Sequence, residues 1–281
     1  MDAPSLDELR AQIDGIDEAV HVLLMRRAEL VGRIAAAKGG SGGLALRPGR
    51  EAQVLRRLLG RHEGKFPKPA LVRLWREIMG AFTFLQGPVR VAVCRPADQA
   101  GFWDLARDHF GAQIPFQAHE TAAQVIAAMR LDPNVIGVVP APVQDESAPW
   151  WIRLTSGEVT TPNIVQRLPF IAMPNSRGRD LDAFVLARLD AEASGEDRAL
   201  LAIESPVEIS RSRLIGAVTK AGFPSPTSVI DVEQSGTWWD LVEVPTFVAD
   251  QDPRLPALRT ALGVEHARVV SLGAWAVPPK I

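Results

Sequence analysis

Residues 5–38 read SLDELRAQIDGIDEAVHVLLMRRAELVGRIAAAK, and the spacing of their apolar residues decides the fold of the front of the chain. Leu9, Ile13, Ile16, Val20, Leu23, Leu30 and Ile34 follow alternating steps of four and three, with Arg27 occupying the beat between Leu23 and Leu30. That rhythm is the heptad seam of a helix. Ser5 and Glu8 have capping-box spacing, no proline interrupts the run, and Gly39-Gly40 follows it. The spacing predicts one helix about 50 Å long at ~1.5 Å per residue. Such a helix outruns a small domain, so part of its seam needs cover from a partner chain or a folded-back hairpin.

Two cations sit in this seam. Arg27 takes a position that calls for a hydrophobe, and Lys38 continues the rhythm after Ile34. They lie about three turns apart on nearly one face. Either Arg27 snorkels out of the seam, or the pair meets an anion, since buried cations are costly without one. Arg10 lies ~25 Å along the axis from Arg27. A small ligand held by both would need Arg10 from a symmetry mate, as in an isologous antiparallel dimer.

The remaining composition bounds the function. The chain has 281 residues, 47% hydrophobic and 23% charged, with net charge -2. That is room for two or three small domains of an ordinary soluble protein. The single cysteine, Cys94, leaves no internal disulfide and suits a reducing cytoplasm. No apolar run reaches bilayer length, and the N-terminus lacks a signal-peptide pattern, so no membrane partner is expected. The five histidines are scattered without ligand spacing, so no metal is expected. Residues 1–87 hold 14 Lys+Arg against 10 Asp+Glu, and the rest hold 17 against 23. The basic front suits a small anion, but no Lys/Arg block offers a nucleic-acid footprint.

After a Gly39–Gly43 connector, Pro48 fits the first turn of a second helix with Val54, Leu55, Leu58 and Leu59 on its apolar face. Arg50 and Glu51 lie in that first turn, where an acid also suits the helix dipole. Pro67 and Pro69 open a third helix, with Leu71, Leu74, Trp75, Ile78, Met79, Phe82 and Leu85 as its stripe and Gly87-Pro88 as its stop. Gln86, four residues after Phe82, shares that face. Its amide is either a buried group needing partners or a helix-end group meeting solvent or a carbonyl.

The pattern Leu9-Arg10-x-x-Ile13-Asp14-x-Ile16-Asp17, then Leu23 with Arg26-Arg27, Lys38, Arg47-Pro48-x-Arg50-Glu51 and a third helix ending near Gln86, resembles the all-helical (AroQ-type) chorismate mutases over roughly residues 5–87. The resemblance implies isomerisation of chorismate to prephenate in aromatic amino-acid biosynthesis, without a cofactor, by a cytoplasmic homodimer. It implies that Arg10 reaches the other subunit's site, Arg27 and Lys38 grip the substrate in their own, Glu51 faces the ring hydroxyl, Arg50 supports the site, and Gln86 approaches the ether oxygen with Lys38. The chain departs from the bifunctional relatives at Arg47, where they carry an acid, and at Phe82, where they carry a serine. The residue types suit the chemistry. A pericyclic rearrangement needs no nucleophile or proton transfer, only a frozen reactive conformer and fixed cations where the breaking ether gains charge. Arginine forks match carboxylates.

Beyond residue 88 the texture alternates: strands are predicted over 89–93, 114–117 and 135–139, helices over 104–110 and 122–130, an irregular crossing over 145–163, and a strand from Asp182. The tail predicts strand 199–204, helix 210–221, strands 228–233 and 241–248, helix 254–262 and strand 268–276, a βαββαβ ferredoxin-like order. The order of parts resembles the bifunctional chorismate mutase–prephenate dehydratases with an ACT tail. The expected architecture is therefore multidomain: an all-α three-helix mutase domain (1–88), a reduced dehydratase-like α/β lobe (89–196) and an ACT-like domain (197–281). Asp182-Ala183-Phe184 stands where that family's Thr-Arg-Phe would fall, so the lobe is expected to be catalytically dead. Two alternatives remain open: a non-catalytic metabolite-binding dimer and a working dehydratase.

Overall fold

The computed structural model describes residues 4–37, 43–97, 99–171 and 180–279. The opening helix, α1, spans Leu6–Ala37. Its start is capped as the sequence predicts: the Ser5 amide donates to Glu8 Oε2 at 2.7 Å and the Glu8 amide to Ser5 Oγ at 3.2 Å. α2 spans Pro48–Gly60 with Pro48 in its first turn, and α3 spans Lys68–Leu85. α2 and α3 bury one side of each helix, whereas α1 buries none of its residues. Ile13, Ile16 and Leu23 of the seam are 58%, 62% and 62% exposed. The predicted stripe of α3 is rotated in the fold. Its buried residues are Val72, Arg76, Met79, Gly80, Phe82 and Thr83, while Leu74 and Leu85 face outward with Phe84.

The rest of the chain builds one sheet. β1 (Arg90–Cys94), α4 (Gly101–Phe110), β2 (Phe116–His119), α5 (Ala122–Leu131) and β3 (Val135–Pro140) follow the alternation read from sequence, with β1 parallel to both β2 and β3. The crossing predicted as irregular holds a 3₁₀ turn, Trp150–Thr155, and ends in a strand that the sequence pattern does not predict, β4 (Asn163–Leu168). Then come β5 (Ala183–Ala187), β6 (Asp197–Ser205), α6 (Arg211–Lys220), β7 (Ser228–Gln234), β8 (Thr237–Val244), α7 (Arg254–Leu262) and β9 (Arg268–Ala276). β8 begins four residues before the predicted 241. Ser235 and Gly236, at φ 55° and 79°, make a two-residue turn that pairs Gln234 with Thr237 and draws Trp238-Trp239-Asp240 into the strand.

Nine strands run in the order β2-β1-β3-β5-β4-β9-β6-β8-β7, so the two regions expected as separate α/β and βαββαβ units share a sheet. They meet where β4 lies parallel to β9, with Ile164 opposite Gly273. At Gly273 (φ 122°) a Cβ would sit 2.1 Å from the Ile164 carbonyl oxygen, so only glycine permits this approach. One apolar layer runs under the whole sheet, from Val125 and Met129 of α5 through Trp150, Trp151 and Phe184 to Trp239 and Trp275. The opposite face is covered by α4 at one end and by α6 and α7 at the other.

The helical hairpin α2–α3 is fastened to this body. Ala52, Leu55, Leu59, Val72 and Met79 pack with Phe170, Ile171 and Ala276. Arg56 donates to the Ser194 carbonyl and hydroxyl and to the carbonyls of Glu196 and Val277, at 2.6–3.0 Å. Along α3, Arg73 pairs with Asp108 and Glu77 accepts from the Ala112 amide at 2.9 Å. Gly80 lies so close to α4 that a Cβ there would meet the Phe110 carbonyl oxygen at 2.0 Å.

Candidate active site

Arg27 is the seam cation that the fold singles out. Helix α1 carries it onto α3, where its Cζ lies 4.3 Å from the centre of the Phe82 ring. Such a contact contributes about 0.5–2 kcal/mol, according to how dry the site is. Burial pushes the guanidinium below its ordinary pKa, and Nη1 is buried without a hydrogen-bond partner among the described residues. A half-buried cation with an idle donor is prepared for an acceptor brought by a guest. Phe82, the departure from the family's serine, is the platform on which this arginine rests.

Gln86 caps the C-terminus of α3, one turn beyond Phe82. Its Nε2 donates to the Phe82 carbonyl at 3.0 Å, which fixes the amide beside the Arg27 platform and leaves its oxygen pointing elsewhere. The α1–α3 crossing thus brings Arg27 onto Phe82, with Gln86 one turn further along α3.

Glu51 projects from the first turn of α2, where Pro48 and the exposed helix amides favour an acid. It is engaged with Arg76 of α3, whose Nη1 donates to Glu51 Oε2 at 2.7 Å. Oε1 carries no hydrogen bond to any described residue. Arg76 is ten residues before Gln86, about 15 Å along the α3 axis. Glu51 therefore meets α3 near its middle, whereas Gln86 lies at its C-terminal end. Arg50, next door, faces solvent and reaches only Gln53 Oε1 at 3.5 Å.

Arg10 lies far up α1, exposed, with Asp7 one turn away at 3.2 Å. Nothing in its own chain brings it to Arg27. Lys38 lies outside the described residues. Arg47, the other departure, bonds Glu192 through Nε at 2.9 Å, so it belongs to the junction between α2 and the body.

Arg76 and Phe170 are part of this region although sequence reasoning does not select them. The available signal is an arginine one turn after Val72 and one turn before Gly80, on the inner side of a helix. Phe170 gives none, since it approaches only through the tertiary fold. Among the described residues, no group of His, Cys, Asp and Glu has the arrangement to hold a metal ion.

This arrangement is a three-helix region in which Arg27 and Arg76 lie against aromatic rings and Arg76 pairs with Glu51. Residues 9–87 match the family described as chorismate mutase type II. Among curated proteins, the chain is similar to the bifunctional chorismate mutase/prephenate dehydratase of Stutzerimonas stutzeri, 32% identical over 156 residues, covering 52% of this chain and 41% of that protein. It is similar also to the Aquifex aeolicus protein of the same description, 33% identical over 140 residues, covering 48% and 38%. The chain thus spans about two fifths of the length of these curated relatives. Among solved structures, prephenate dehydratase in complex with L-Phe from Arthrobacter aurescens aligns with TM-score 0.49 at 10% identity, over 69% of this chain and 92% of that one. No described helix is long and apolar enough to cross a membrane.

Proposed function

We propose that the helical domain is a working chorismate mutase, active as a homodimer, converting chorismate to prephenate by a Claisen rearrangement without a cofactor. The observation that carries this reading is Arg27: a half-buried guanidinium with an idle donor, stacked on Phe82 inside the segment that matches the mutase family. Its partner in this reading is one substrate carboxylate, which its planar fork suits. Lys38 supplies the point charge for the ether oxygen as the C–O bond lengthens, and Gln86 adds a dipole there. Glu51 Oε1 accepts from the ring hydroxyl, and Arg50 adds positive potential at the mouth. Every group acts by position and charge alone, which a rearrangement without proton transfer requires.

The dimer follows from the uncovered seam. The apolar residues of α1, with Leu74, Phe84 and Leu85 of α3, present a face that water should not keep. A second copy laid antiparallel covers it and brings Arg10 across to complete the grip on the substrate. We retain the divisions 1–88, 89–196 and 197–281, with the tail ACT-like, and place the protein in the cytoplasm.

The α/β body is an accessory in this reading. At the position of the dehydratase Thr-Arg-Phe, Asp182 is bound by Arg167, while Ala183 and Phe184 are buried in the sheet, Phe184 5.0 Å from the Trp275 ring. The test is chorismate consumption followed by absorbance with the purified full chain, with assays for prephenate and phenylpyruvate. The expected result is rapid chorismate loss, prephenate accumulation and no phenylpyruvate. No acceleration from an intact dimer would leave a non-catalytic regulator, and phenylpyruvate would restore the bifunctional reading.

A further inference from the structure

We infer that Arg76 is a positioning residue for Glu51 and that, through Phe170, it ties the geometry of the mutase site to the α/β body. This rests on the mutase reading above and names a control on that same site.

Arg76 sits mid-α3 and is 3% exposed, too deep to touch a guest itself. Nη1 donates to Glu51 Oε2 at 2.7 Å, while Nε and Nη2 are buried without partners among the described residues. Among those residues Glu51 is thus the anion that answers this guanidinium. On its other side Arg76 lies 4.8 Å from the centre of the Phe170 ring, just past the end of β4. His109 of α4 lies near the Arg76 charge and bonds Gln166 Oε1 at 2.8 Å. Burial first, and the nearby Arg76 charge second, hold that imidazole well below its ordinary pKa, so it stays neutral beside the arginine.

A glutamate at the start of a helix has three side-chain torsions and would otherwise sample solvent. Arg76 fixes one carboxylate oxygen and leaves Oε1 free, so a guest hydroxyl meets an acceptor already in place. The clamp is built from four elements: Glu51 on α2, Arg76 on α3, His109 on α4, and Gln166 with Phe170 on and just after β4. Displacing Phe170 therefore displaces Glu51, and whatever shifts the body against α3 is felt at the site. A buried ion pair of merely structural use would show no such link to turnover.

The experiment uses the full-length protein with chorismate as substrate. Arg76→Gln is expected to lower kcat/KM by about tenfold to a hundredfold, the scale of a sub-ångström to ångström misplacement. In a Glu51→Gln background the same change should alter kcat/KM by less than about twofold, because its effect passes through Glu51. Arg76→Lys, which keeps the charge but not the flat stack on Phe170, should restore part of the loss. Phe170→Leu, which leaves both charges in place and tests the link even if Glu51→Gln folds poorly, should lower kcat/KM several-fold. Equal losses from Arg76→Gln in both backgrounds, or an unchanged Phe170→Leu enzyme, would overturn the inference while leaving the mutase reading standing. Should the wild-type chain fail to consume chorismate, the mutase reading falls. The positioning is then decided by the 13C resonance of the Glu51 carboxyl: movement in Arg76→Lys and Phe170→Leu upholds it, and no movement overturns it.

Discussion

Replacing Glu51 with glutamine should cost this protein stability as well as activity. Arg76 is 3% exposed and two of its three nitrogens have no acceptor among the described residues, so Glu51 provides its charge compensation. Burial already presses the guanidinium toward a lower pKa, and the Glu51 charge works against that. Removing one partner from a buried pair typically costs about 3–5 kcal/mol, because the other charge is left stranded. Glutamine keeps an acceptor oxygen near Nη1 and loses only the charge, which places Glu51→Gln near the lower end, about 3 kcal/mol. Alanine loses both and belongs near ~5 kcal/mol. For a chain of this size ~1 kcal/mol moves Tm by about 2–4 °C, so Glu51→Gln should lower Tm by roughly 6–12 °C. The pair Glu51→Leu with Arg76→Met fills the same space without charge and should return most of that loss. Urea unfolding followed by circular dichroism, with thermal melts beside it, measures each variant. A loss under ~1 kcal/mol for Glu51→Gln, or a double variant as weak as the single one, would refute the reasoning.

Other outcomes follow from the same structure. Arg27→Ala should leave the helices folded and raise the barrier by about 2.7–4 kcal/mol, seen as a fall in kcat of two to three orders of magnitude. Ile16→Glu should convert the proposed dimer to monomer in light scattering and lower the proposed mutase activity with it, since a charge in an apolar seam destroys the burial that such a dimer gains. Gly80→Ala should cost about 1–3 kcal/mol, read by urea unfolding, because α3 is held to α4 by Arg73–Asp108 and Glu77 and cannot back away from the Phe110 carbonyl. Asp240 is pushed up to about 7 by burial, with Asp231 and Glu208 adding to it. The folded chain therefore keeps a proton that the unfolded chain releases near 3.8, and stability falls as pH rises between those values. Asp240→Asn should match the wild type at pH 4 and be more stable by about 2 kcal/mol at pH 8, a value reduced for partial solvent screening.

Periodicity along the chain accounts for much of this protein. The four-three rhythm of residues 9–34, the Ser5–Glu8 cap, Pro48, and the Gly87-Pro88 stop each report a relation between residues within two turns, and α1, α2 and α3 lie where those relations put them. The uncovered seam of α1 is legible too, because a heptad stripe on a helix longer than its own domain calls for cover from a partner chain or a folded-back hairpin. Alternation likewise reveals β1, α4, α5, β3, α7 and β9. β4, which begins where the polar crossing ends, escapes because its six residues do not alternate apolar with polar, and it exists because β5 and β9 pair with it. The start of β8 is set by the turn at Ser235-Gly236, which hydrophobic alternation does not report.

The candidate site divides the same way. Arg10, Arg27, Lys38, Arg50, Glu51 and Gln86 are legible as residue types at set intervals. What each touches is not. That Glu51 gives one oxygen to an arginine 25 residues away, that Arg27 leans on Phe82, and that Phe170 presses on Arg76 from the far side depend on how α1, α3 and β4 approach one another. The sequence by itself determined the three helices and the apolar seam of α1, since these follow from neighbours along the chain. Only the tertiary structure decided which charges are paired, which donors stand idle, and that the helical hairpin and nine-stranded sheet are one packed object. Those depend on distances between segments that no period in the sequence encodes.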